Sequence, residues 1–400
     1  MRPATIYADY QATTPVDPRV AERMSALWSE AFGNPHSNDH VVGWEAADAV
    51  REAASSVAGL IGADPDEVVF TSGATESNNL ALLGLARRAP SERRRILVSA
   101  IEHKCVLAAA RSLAEREGFV VETIPVDREG FVDFDALERM VDETVLAISI
   151  MAVNNEVGTI QDIEGISKML LPYGVLFHCD AAQAPCAMDV TNLATHADLI
   201  SLSGHKMYGP KGIGALYIRR DLQGRIEPII YGGGQQAGLR SGTVPTPLCA
   251  GMAAAVEILR SPEGIEERNR VTGQRDVFLH SLKESIPSMA INGPAGEFRH
   301  PGNANLRFDG IVAQDILGAL QPRLAASTGA ACTSGIPEPS HVLSALGLGA
   351  TESESSIRFS FGRFTKDKEV GEAAFLVIQA IRAMTSGQLL ATELTRVETS

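Results

Sequence analysis

Short apolar runs alternate with amphipathic segments along roughly the first 260 residues of the chain. Runs of this length are typical of buried strands, and the segments between them place apolar residues at helical spacing. The predicted strands lie near residues 67–71, 95–100, 119–125, 144–153, 175–180 and 198–203. Strands that alternate with helices in this way predict an α/β fold with a large, doubly wound and mainly parallel sheet.

Capping residues and helix breakers mark several of the predicted helices. Asp17 and Pro18 open one helix, because an aspartate followed by proline is a common helix start. A second helix covers about 44–61 and stops at Gly62, and a third covers about 245–259. These limits predict that the first part of the chain is a regular layered domain.

The pattern changes near residue 260. Strands near 304–308 and 356–361, with helices between and after them, predict a smaller α+β domain. We therefore expect a large domain over residues 16–260. The small domain would combine an extended N-terminal arm, residues 1–15, with residues 261–400.

Composition excludes some functions. The net charge of −14 argues against a direct nucleic-acid surface, which needs clustered lysine and arginine. The N-terminus has no apolar leader, and no apolar run approaches the length of a membrane span. We therefore expect a soluble, cytoplasmic protein that binds neither membrane nor nucleic acid directly.

The chain has five cysteines, and their spacing predicts neither a zinc site nor a redox pair. Four of them lie in apolar or helix-like settings, where a free cysteine usually acts as a small hydrophobic residue. Cys332 differs, because it lies in the run STGAACTSGIPEP of small residues and turn formers. Such a loop would leave its thiol accessible.

Two charged residues follow apolar runs that are adjacent in the chain. Asp180 closes the run 175–180, and Lys206 comes directly after the run 198–203. A lysine can form a Schiff base with a carbonyl cofactor, and a buried aspartate can pair with a protonated pyridine nitrogen. Alone, each residue is more simply a loop lysine or a helix-capping aspartate. Together they indicate a site for pyridoxal 5′-phosphate.

Other strand ends add polar groups to this predicted site. The turn at 72–75 comes before a helix and consists of small residues, so its backbone amides could bind a phosphate. His103 follows another strand end and is available to stack on a ring. Asn155 belongs to an amide pair at the end of the run 144–153.

Eight segments carry a resemblance to a known family: YADYQATTPVDPRV, VVFTSGATESNNLAL, IEHKCVL, NNEVGTIQDI, HCDAAQA, SLSGHKMYGPKGIGALY, RSGT and GAACTSGIPEPSHVLSALGL. They resemble the cysteine desulfurases, which are fold-type-I pyridoxal-phosphate enzymes of the class-V aminotransferase superfamily. The resemblance extends in order from about residue 6 to residue 365. The loop around Cys332 is similar to the long loop of the iron–sulfur-cluster and nitrogen-fixation desulfurases.

The resemblance implies a role for each matching residue. Lys206 would hold the cofactor and later move protons, Asp180 would pair with the ring nitrogen, and His103 would stack on the ring and assist acid–base steps. Cys332 would be the nucleophile. The other implied contacts are Gln183 at the ring hydroxyl; Ala74, Thr75, Ser203, His205 and the second subunit's Thr243 at the phosphate; Asn155 beside the cofactor; and Asn155 with Arg358 at the substrate carboxylate.

The resemblance also implies a reaction and partners. A homodimer would convert L-cysteine to L-alanine and pass the sulfur, as a persulfide on Cys332, to an acceptor protein. The acceptor could serve iron–sulfur cluster assembly, tRNA thiolation or DNA phosphorothioation. Two alternatives stay open: selenocysteine lyase or another lyase or aminotransferase of the same fold, and a non-catalytic scaffold.

The chain departs from the family pattern at two places. Family members commonly carry a His-Glu pair where this chain has Gln235 and Gln236, a position near the expected active site and dimer region. The C-terminal sequence LLATELTRVETS does not resemble the tail by which the housekeeping enzymes dock their scaffold protein. Because of both departures, the identity of the sulfur-acceptor protein stays open.

Overall fold

The computed structural model describes residues 5–329 and 339–398, with side chains up to residue 386. The chain divides into two compact units. The larger unit comprises residues 13–155 and 159–265. The smaller unit comprises residues 1–12, 156–158 and 266–400.

The strands of both units are short. In chain order they are β1 (Ile6–Tyr7), β2 (Val68–Thr71), β3 (Arg95–Ser99), β4 (Val120–Ile124), β5 (Val145–Ser149), β6 (Leu176–Asp180), β7 (Leu199–Ser203), β8 (Gly214–Ile218), β9 (Ala290–Ile291), β10 (Asn303–Arg307), β11 (Leu324–Ala325) and β12 (Ser356–Ser360).

The helices vary in length from about one turn to the long C-terminal helix. They are α1 (Pro18–Ser29), α2 (Val41–Ile61), α3 (Ala74–Arg87), α4 (Lys104–Glu117), α5 (Phe134–Met140), α6 (Ile163–Leu170), α7 (Thr246–Arg260), α8 (Pro262–Ser285), α9 (Ala313–Leu320), α10 (His341–Ala345), α11 (Ala350–Glu354) and α12 (Asp367–Glu398). In the described part of the chain, no helix combines the length and apolar character needed to cross a membrane.

The larger unit is built on one seven-stranded sheet with the strand order β2-β8-β7-β6-β5-β3-β4. The pairs from β7 to β4 are all parallel, whereas β8 is antiparallel to both of its neighbours. This confirms the expected α/β class with a mainly parallel sheet. The antiparallel strand β8 was not anticipated from the sequence.

Helices cover both faces of this sheet. Apolar side chains of α3 and α4 pack on one face, and those of α2, α5, α6 and α7 pack on the other. Every residue of β5, β6 and β7 is buried, as expected for central parallel strands. A polar side chain at the carboxyl end of such a strand therefore lies in a largely dry environment.

The local signals read from the sequence act as predicted. The Asp17 side chain accepts a hydrogen bond from the backbone N–H of Arg19 at the start of α1, and Pro18 occupies the first helical position. Helix α2 ends at Gly62, whose φ of 76° lies in the left-handed region that favours glycine.

The smaller unit contains two small sheets. Strands β12, β10 and β9 form an antiparallel sheet in that order, and β1 pairs in parallel with β11. Its core includes Phe278 of α8, whose ring centroid lies 5.1 Å from that of Phe359 and 5.0 Å from that of Phe361. Helices α9 and α12 complete this core.

Candidate active site

Lys206 lies in a short 3₁₀ turn, Gly204–Lys206, directly after β7. The turn requires glycine at position 204, because a Cβ there would lie 2.8 Å from a side-chain carbon of Ile213 and 2.9 Å from the carbonyl oxygen of Pro210. The half-buried Lys206 side chain is thereby placed at the carboxyl end of a central strand. Open α/β sheets bind their ligands at this edge.

Asp180 is the last residue of β6, the parallel neighbour of β7, and its Cα is paired with that of Ser201. Its carboxylate is 4% exposed and accepts two hydrogen bonds. The backbone N–H of Ala182 donates to Oδ1 (2.9 Å), and Asn78 Nδ2 donates to Oδ2 (2.7 Å). Two N–H donors thus hold the carboxylate in one orientation in this buried setting.

Asn78 was not identified as a site residue from the sequence. It lies in the second turn of α3, is fully buried, and reaches Asp180 across 102 positions of the chain. The same Nδ2 also lies 3.2 Å from Cys105 Sγ at the start of α4. The amide thus links the expected cofactor carboxylate to two helices.

Glu102 is a second buried carboxyl group close to Asp180. It is fully buried, and one of its oxygens accepts a hydrogen bond from the backbone N–H of Met151. Burial, and after it the negative charge of Asp180, raises the pKa of Glu102 well above its usual value. Burial and the nearby Asp180 thus both favour the protonated form of Glu102.

The predicted phosphate turn lies at the start of α3. Gly73 is the N-cap residue, has no side chain to cap the helix, and adopts a φ of 149°. A Cβ built on Gly73 would have no atom within 4 Å, so the space beside the first amides is open. The leading amides of Ala74 and Thr75 have no acceptor inside the helix, and this end of the helix favours anions.

Two further predicted phosphate ligands lie at the end of β7 and in the turn that follows it. Ser203 ends β7, and its strand partner Gly214 packs so closely on Gly73 that a Cβ at position 214 would lie 2.6 Å from the Gly73 Cα. His205 Nδ1 is 3.0 Å from Thr13 Oγ1. Burial, with smaller effects of two nearby lysines, lowers the pKa of His205 to about 4, so its ring is neutral near pH 7.

His103 is the N-cap residue of α4. Its Nδ1 accepts a hydrogen bond from the backbone N–H of Cys105 (3.2 Å) and lies 2.9 Å from Cys105 Sγ. Burial, and after it Asp180, raises the pKa of Cys105 to about 11, so this group is a thiol. Nearby Asn78 and Thr75 act in the opposite direction and limit this rise of the Cys105 pKa.

Gln183 and Asn155 lie after the ends of β6 and β5. Gln183 is buried in the turn after Asp180, and Asn155 is half-buried. The adjacent Asn154 is fully buried, and its Nδ2 donates to the carbonyl oxygen of Ile101 (3.0 Å). Asn154 therefore supports the backbone next to Asn155.

Thr243 is exposed at the end of the glycine-rich segment 231–243. This segment is fastened to its own unit at two points. Gln236 Oε1 accepts from the backbone N–H of Phe70 (2.6 Å), and its Nε2 donates to the carbonyl oxygen of the same residue (2.9 Å). Arg240 Nε donates to Glu76 Oε1 of α3 (2.8 Å).

The remaining two predicted residues belong to the smaller unit. Arg358 lies on β12 and is 3% exposed, and its Nη2 donates to Asp9 Oδ1 (2.6 Å) and to Ser327 Oγ (3.0 Å). Cys332 lies outside the residues that the structure describes.

The larger unit provides what pyridoxal phosphate requires. The cofactor has a phosphate, a ring nitrogen that a carboxylate can keep protonated, and an aldehyde that reacts with a lysine. An open, glycine-capped helix start, a buried carboxylate held by N–H donors, and a lysine after the adjacent strand lie at one edge of the same sheet. These residues fit the cofactor.

Comparison with known proteins gives a consistent result. The model of the aminotransferase class-V family matches residues 6–372. The cysteine desulfurase IscS of Rickettsia rickettsii (strain Iowa) is 46% identical over 376 residues, which cover 94% of this chain and 91% of the relative.

Two solved structures are also similar to this chain. A NifS-like protein superimposes with a TM-score of 0.87 at 34% identity, covering 96% of this chain and all of that one. SspA in complex with cysteine superimposes with a TM-score of 0.77 at 37% identity, covering 90% of this chain and all of that one. From the family match over most of its length and the identity with a curated relative, the chain belongs to the cysteine desulfurase family of pyridoxal-phosphate-dependent class-V aminotransferases.

Proposed function

We propose that the protein is a cysteine desulfurase that converts L-cysteine to L-alanine and takes up the sulfur atom on Cys332. The observation that supports this most is the placement of Lys206, Asp180 and the open start of α3 at one sheet edge. The chain that carries them is 46% identical to a curated cysteine desulfurase over 94% of its length.

Asp180 and Lys206 would hold the two reactive parts of the cofactor. Pyridoxal phosphate, when bound, supplies an electron sink that stabilises negative charge on the substrate Cα. Asp180 would pair with the ring nitrogen and keep it protonated, because the N–H donors of Ala182 and Asn78 hold its carboxylate in place. Lys206 would carry the cofactor on Nζ and, once displaced by the substrate amine, move a proton at the substrate Cα.

The phosphate would lie at the start of α3. Backbone N–H groups of Ala74 and Thr75 would donate to it, and the positive end of the helix dipole favours a dianion. The side chains of Ser203 and His205 would add hydrogen bonds. Because His205 is neutral, it would donate from one ring nitrogen rather than contribute charge.

The ring and the substrate would be oriented by four side chains. His103 would stack on one face of the ring, and Gln183 would bond to the ring hydroxyl. Asn155 would lie beside the cofactor and help to hold the substrate carboxylate. Arg358 would bind that carboxylate through its guanidinium, whose paired N–H groups match two carboxylate oxygens.

Atoms and electrons balance in the proposed sulfur transfer from L-cysteine to Cys332. The Cys332 sulfur attacks the sulfur of L-cysteine, forming an S–S bond and breaking the C–S bond. The electron pair of the broken bond stays on the substrate carbon, which takes a proton and leaves as L-alanine. L-Cysteine and the Cys332 thiol thus give L-alanine and a Cys332 persulfide, whose outer sulfur passes to an acceptor protein.

The setting of the reaction is also part of the proposal. Two copies of the chain would associate so that the partner subunit's Thr243 reaches the phosphate, and the homodimer would act in the cytoplasm. Iron–sulfur cluster assembly is the acceptor pathway we favour, since the relative with 46% identity is named IscS.

The deciding experiment measures alanine and sulfide release from L-cysteine in the presence of a thiol reductant. The wild type is compared with Cys332→Ala and with Cys249→Ala, a buried cysteine of α7 that serves as the control. We expect Cys332→Ala to keep the bound cofactor and its visible absorbance but to lose turnover, whereas Cys249→Ala keeps both. Equal alanine release by all three proteins would contradict the role of Cys332 and favour a lyase that acts on selenocysteine.

A further inference from the structure

Asp9, in the N-terminal arm of the smaller unit, has no role in the proposed chemistry, yet it forms a buried ion pair with Arg358. Arg358 Nη2 and Asp9 Oδ1 are 2.6 Å apart, and the side chains are 3% and 17% exposed. The two residues are 349 positions apart in the chain. Removing these charges from water costs free energy, which a short contact and further hydrogen bonds can offset.

Ser327 completes a closed triangle with these two side chains. Its Oγ donates to Asp9 Oδ1 (3.0 Å) and accepts from Arg358 Nη2 (3.0 Å). Its backbone is also paired with Arg358, whose N–H donates to the Ser327 carbonyl oxygen (2.8 Å). The guanidinium is therefore held by a carboxylate and a hydroxyl that are themselves fixed to β12.

The arm that carries Asp9 is fixed on both sides. Ala8 N–H donates to the carbonyl oxygen of Ala325 (2.9 Å), and Ser360 N–H donates to the carbonyl oxygen of Ala8 (2.8 Å). The hydroxyl of Tyr7 donates to the carbonyl oxygen of Asp9 (3.0 Å). Asp9 can hold Arg358 in one orientation because its own backbone is held by strands of the same unit.

From this geometry we infer that Asp9 is a positioning residue that presents the Arg358 guanidinium to the carboxylate of the substrate. The inference rests on the proposed function, in which Arg358 binds that carboxylate. Asp9 acts through Arg358 and does not touch the reacting atoms. Arginine has many rotamers, so an anchor that holds it before the substrate arrives removes an ordering step from binding.

The test is the binding of two probes to the cofactor-loaded protein, measured by calorimetry. L-Alanine has the carboxylate, and ethylamine is the same molecule without it. We expect Asp9→Ala to weaken L-alanine binding about ten- to a hundredfold, as misplacement of a binding group does. Ethylamine binding should change less than about twofold, and KM for L-cysteine should rise more than kcat falls.

Two further variants keep the test decisive. Asp9→Asn keeps an oxygen acceptor in place and should retain L-alanine affinity within about threefold of the wild type. Glu267→Ala breaks another largely buried ion pair of the same unit, Arg363–Glu267, with the same 2.6 Å distance and side chains 5% and 11% exposed. This control should leave the preference for L-alanine over ethylamine unchanged.

The inference is overturned if Asp9→Ala weakens the binding of both probes equally, or if Glu267→Ala reproduces its effect. It also falls if the wild type shows no preference for L-alanine. Release of alanine and sulfide from L-cysteine is measured separately. Its absence, with a preserved preference for L-alanine, would contradict the proposed function and leave the role of Asp9 standing.

Discussion

Asn78 Nδ2 lies 2.7 Å from Asp180 Oδ2, and both side chains are buried at the carboxyl edge of the large sheet. The carboxylate is otherwise held by one backbone N–H, that of Ala182. The Asn78 amide can only donate through Nδ2, so it holds Oδ2 of the carboxylate in place. Asn78 thus supports the carboxylate that we propose to pair with the cofactor ring.

Asn78→Ala should weaken both the fold and cofactor retention. Losing a hydrogen bond to a buried charge lowers the free energy of unfolding by about 1.5–3 kcal/mol. Chemical denaturation gives this value, and dialysis followed by visible absorbance gives cofactor retention. Asn79→Ala is the control, because Asn79 lies on the same helix and its Nδ2 donates to the Thr75 carbonyl oxygen instead. Equal loss of cofactor by both variants would contradict the role of Asn78.

Gln236→Glu should make stability depend on pH. Gln236 donates to the carbonyl oxygen of Phe70 and accepts from its N–H, whereas an ionised glutamate can only accept. The folded protein would therefore favour the protonated side chain and raise its pKa above the unfolded value of about 4.3. Relative to the wild type, the variant should be less stable by about 1–2 kcal/mol at pH 7. This difference should shrink as the pH falls towards the unfolded pKa.

The adjacent position supplies the control for this prediction. Gln235 Oε1 accepts from the backbone N–H of Gly242 (2.8 Å), and an ionised glutamate can do the same. Gln235→Glu should therefore show little pH-dependent loss in chemical denaturation at about pH 4.5 and 7.5. If both variants behave alike, the two hydrogen bonds to Phe70 do not account for the effect.

The sequence alone points to those candidate site residues that lie at strand ends. Asp180 and Lys206 were identified because each directly follows an apolar run, and parallel strands bring such ends to one edge of a sheet. The structure places both at that edge, on β6 and after β7. The alternation of apolar runs and amphipathic segments is enough to predict this placement. It indicates the α/β fold class, and that class fixes the direction of the strands.

The supporting residues could not be found in this way. Asn78 meets Asp180 only because α3 packs against the sheet, and Asp9 meets Arg358 across nearly the whole chain. Glu102 looks like an ordinary loop carboxylate in the sequence but is fully buried. The antiparallel direction of β8 depends on a tight turn after Lys206, which apolar periodicity does not encode. Only Asn78 had a signal of this kind in the sequence, because it is a polar residue on an otherwise apolar face of a helix.

His178→Gln should change how the protein responds to acid. His178 is fully buried between Ser149 Oγ (2.8 Å) and Ser201 Oγ (3.0 Å), and burial lowers its pKa to about 4. In the unfolded chain the histidine has a pKa of about 6.5, so between about pH 6.5 and 4 it binds a proton that the folded histidine does not bind. Its contribution to stability is therefore present above about pH 6.5 and is lost as the pH falls towards 4. The slope is at most about 1.4 kcal/mol per pH unit.

The measurement is the free energy of unfolding between about pH 7 and pH 4. His178→Gln should show a shallower loss than the wild type over this range, because glutamine does not titrate. His280→Gln, at a position whose side chain is 75% exposed, is the control and should follow the wild type. Parallel curves for all three proteins would show that His178 is not a source of the acid sensitivity.

Arg240 and Glu76 should be coupled in their effect on phosphate binding. Although burial alone would raise it, hydrogen bonds from Arg240 and Ser72 lower the pKa of Glu76, which is therefore ionised in the first turn of α3. Arg240→Ala leaves this negative charge beside the phosphate turn without its partner. The charge would repel the phosphate, so cofactor affinity should fall by about tenfold, which corresponds to about 1.4 kcal/mol.

The double variant decides whether charge is the cause. Glu76→Gln with Arg240→Ala removes both charges and keeps an oxygen that can accept from Ser72 N–H (2.7 Å in the wild type). The dissociation constant of pyridoxal phosphate, followed by visible absorbance, should return to within about threefold of the wild type. If the double variant binds as weakly as Arg240→Ala, Arg240 acts by fastening the segment 231–243 and not by neutralising Glu76. The two outcomes separate an electrostatic role from a positional one, because only the first depends on the charge of residue 76.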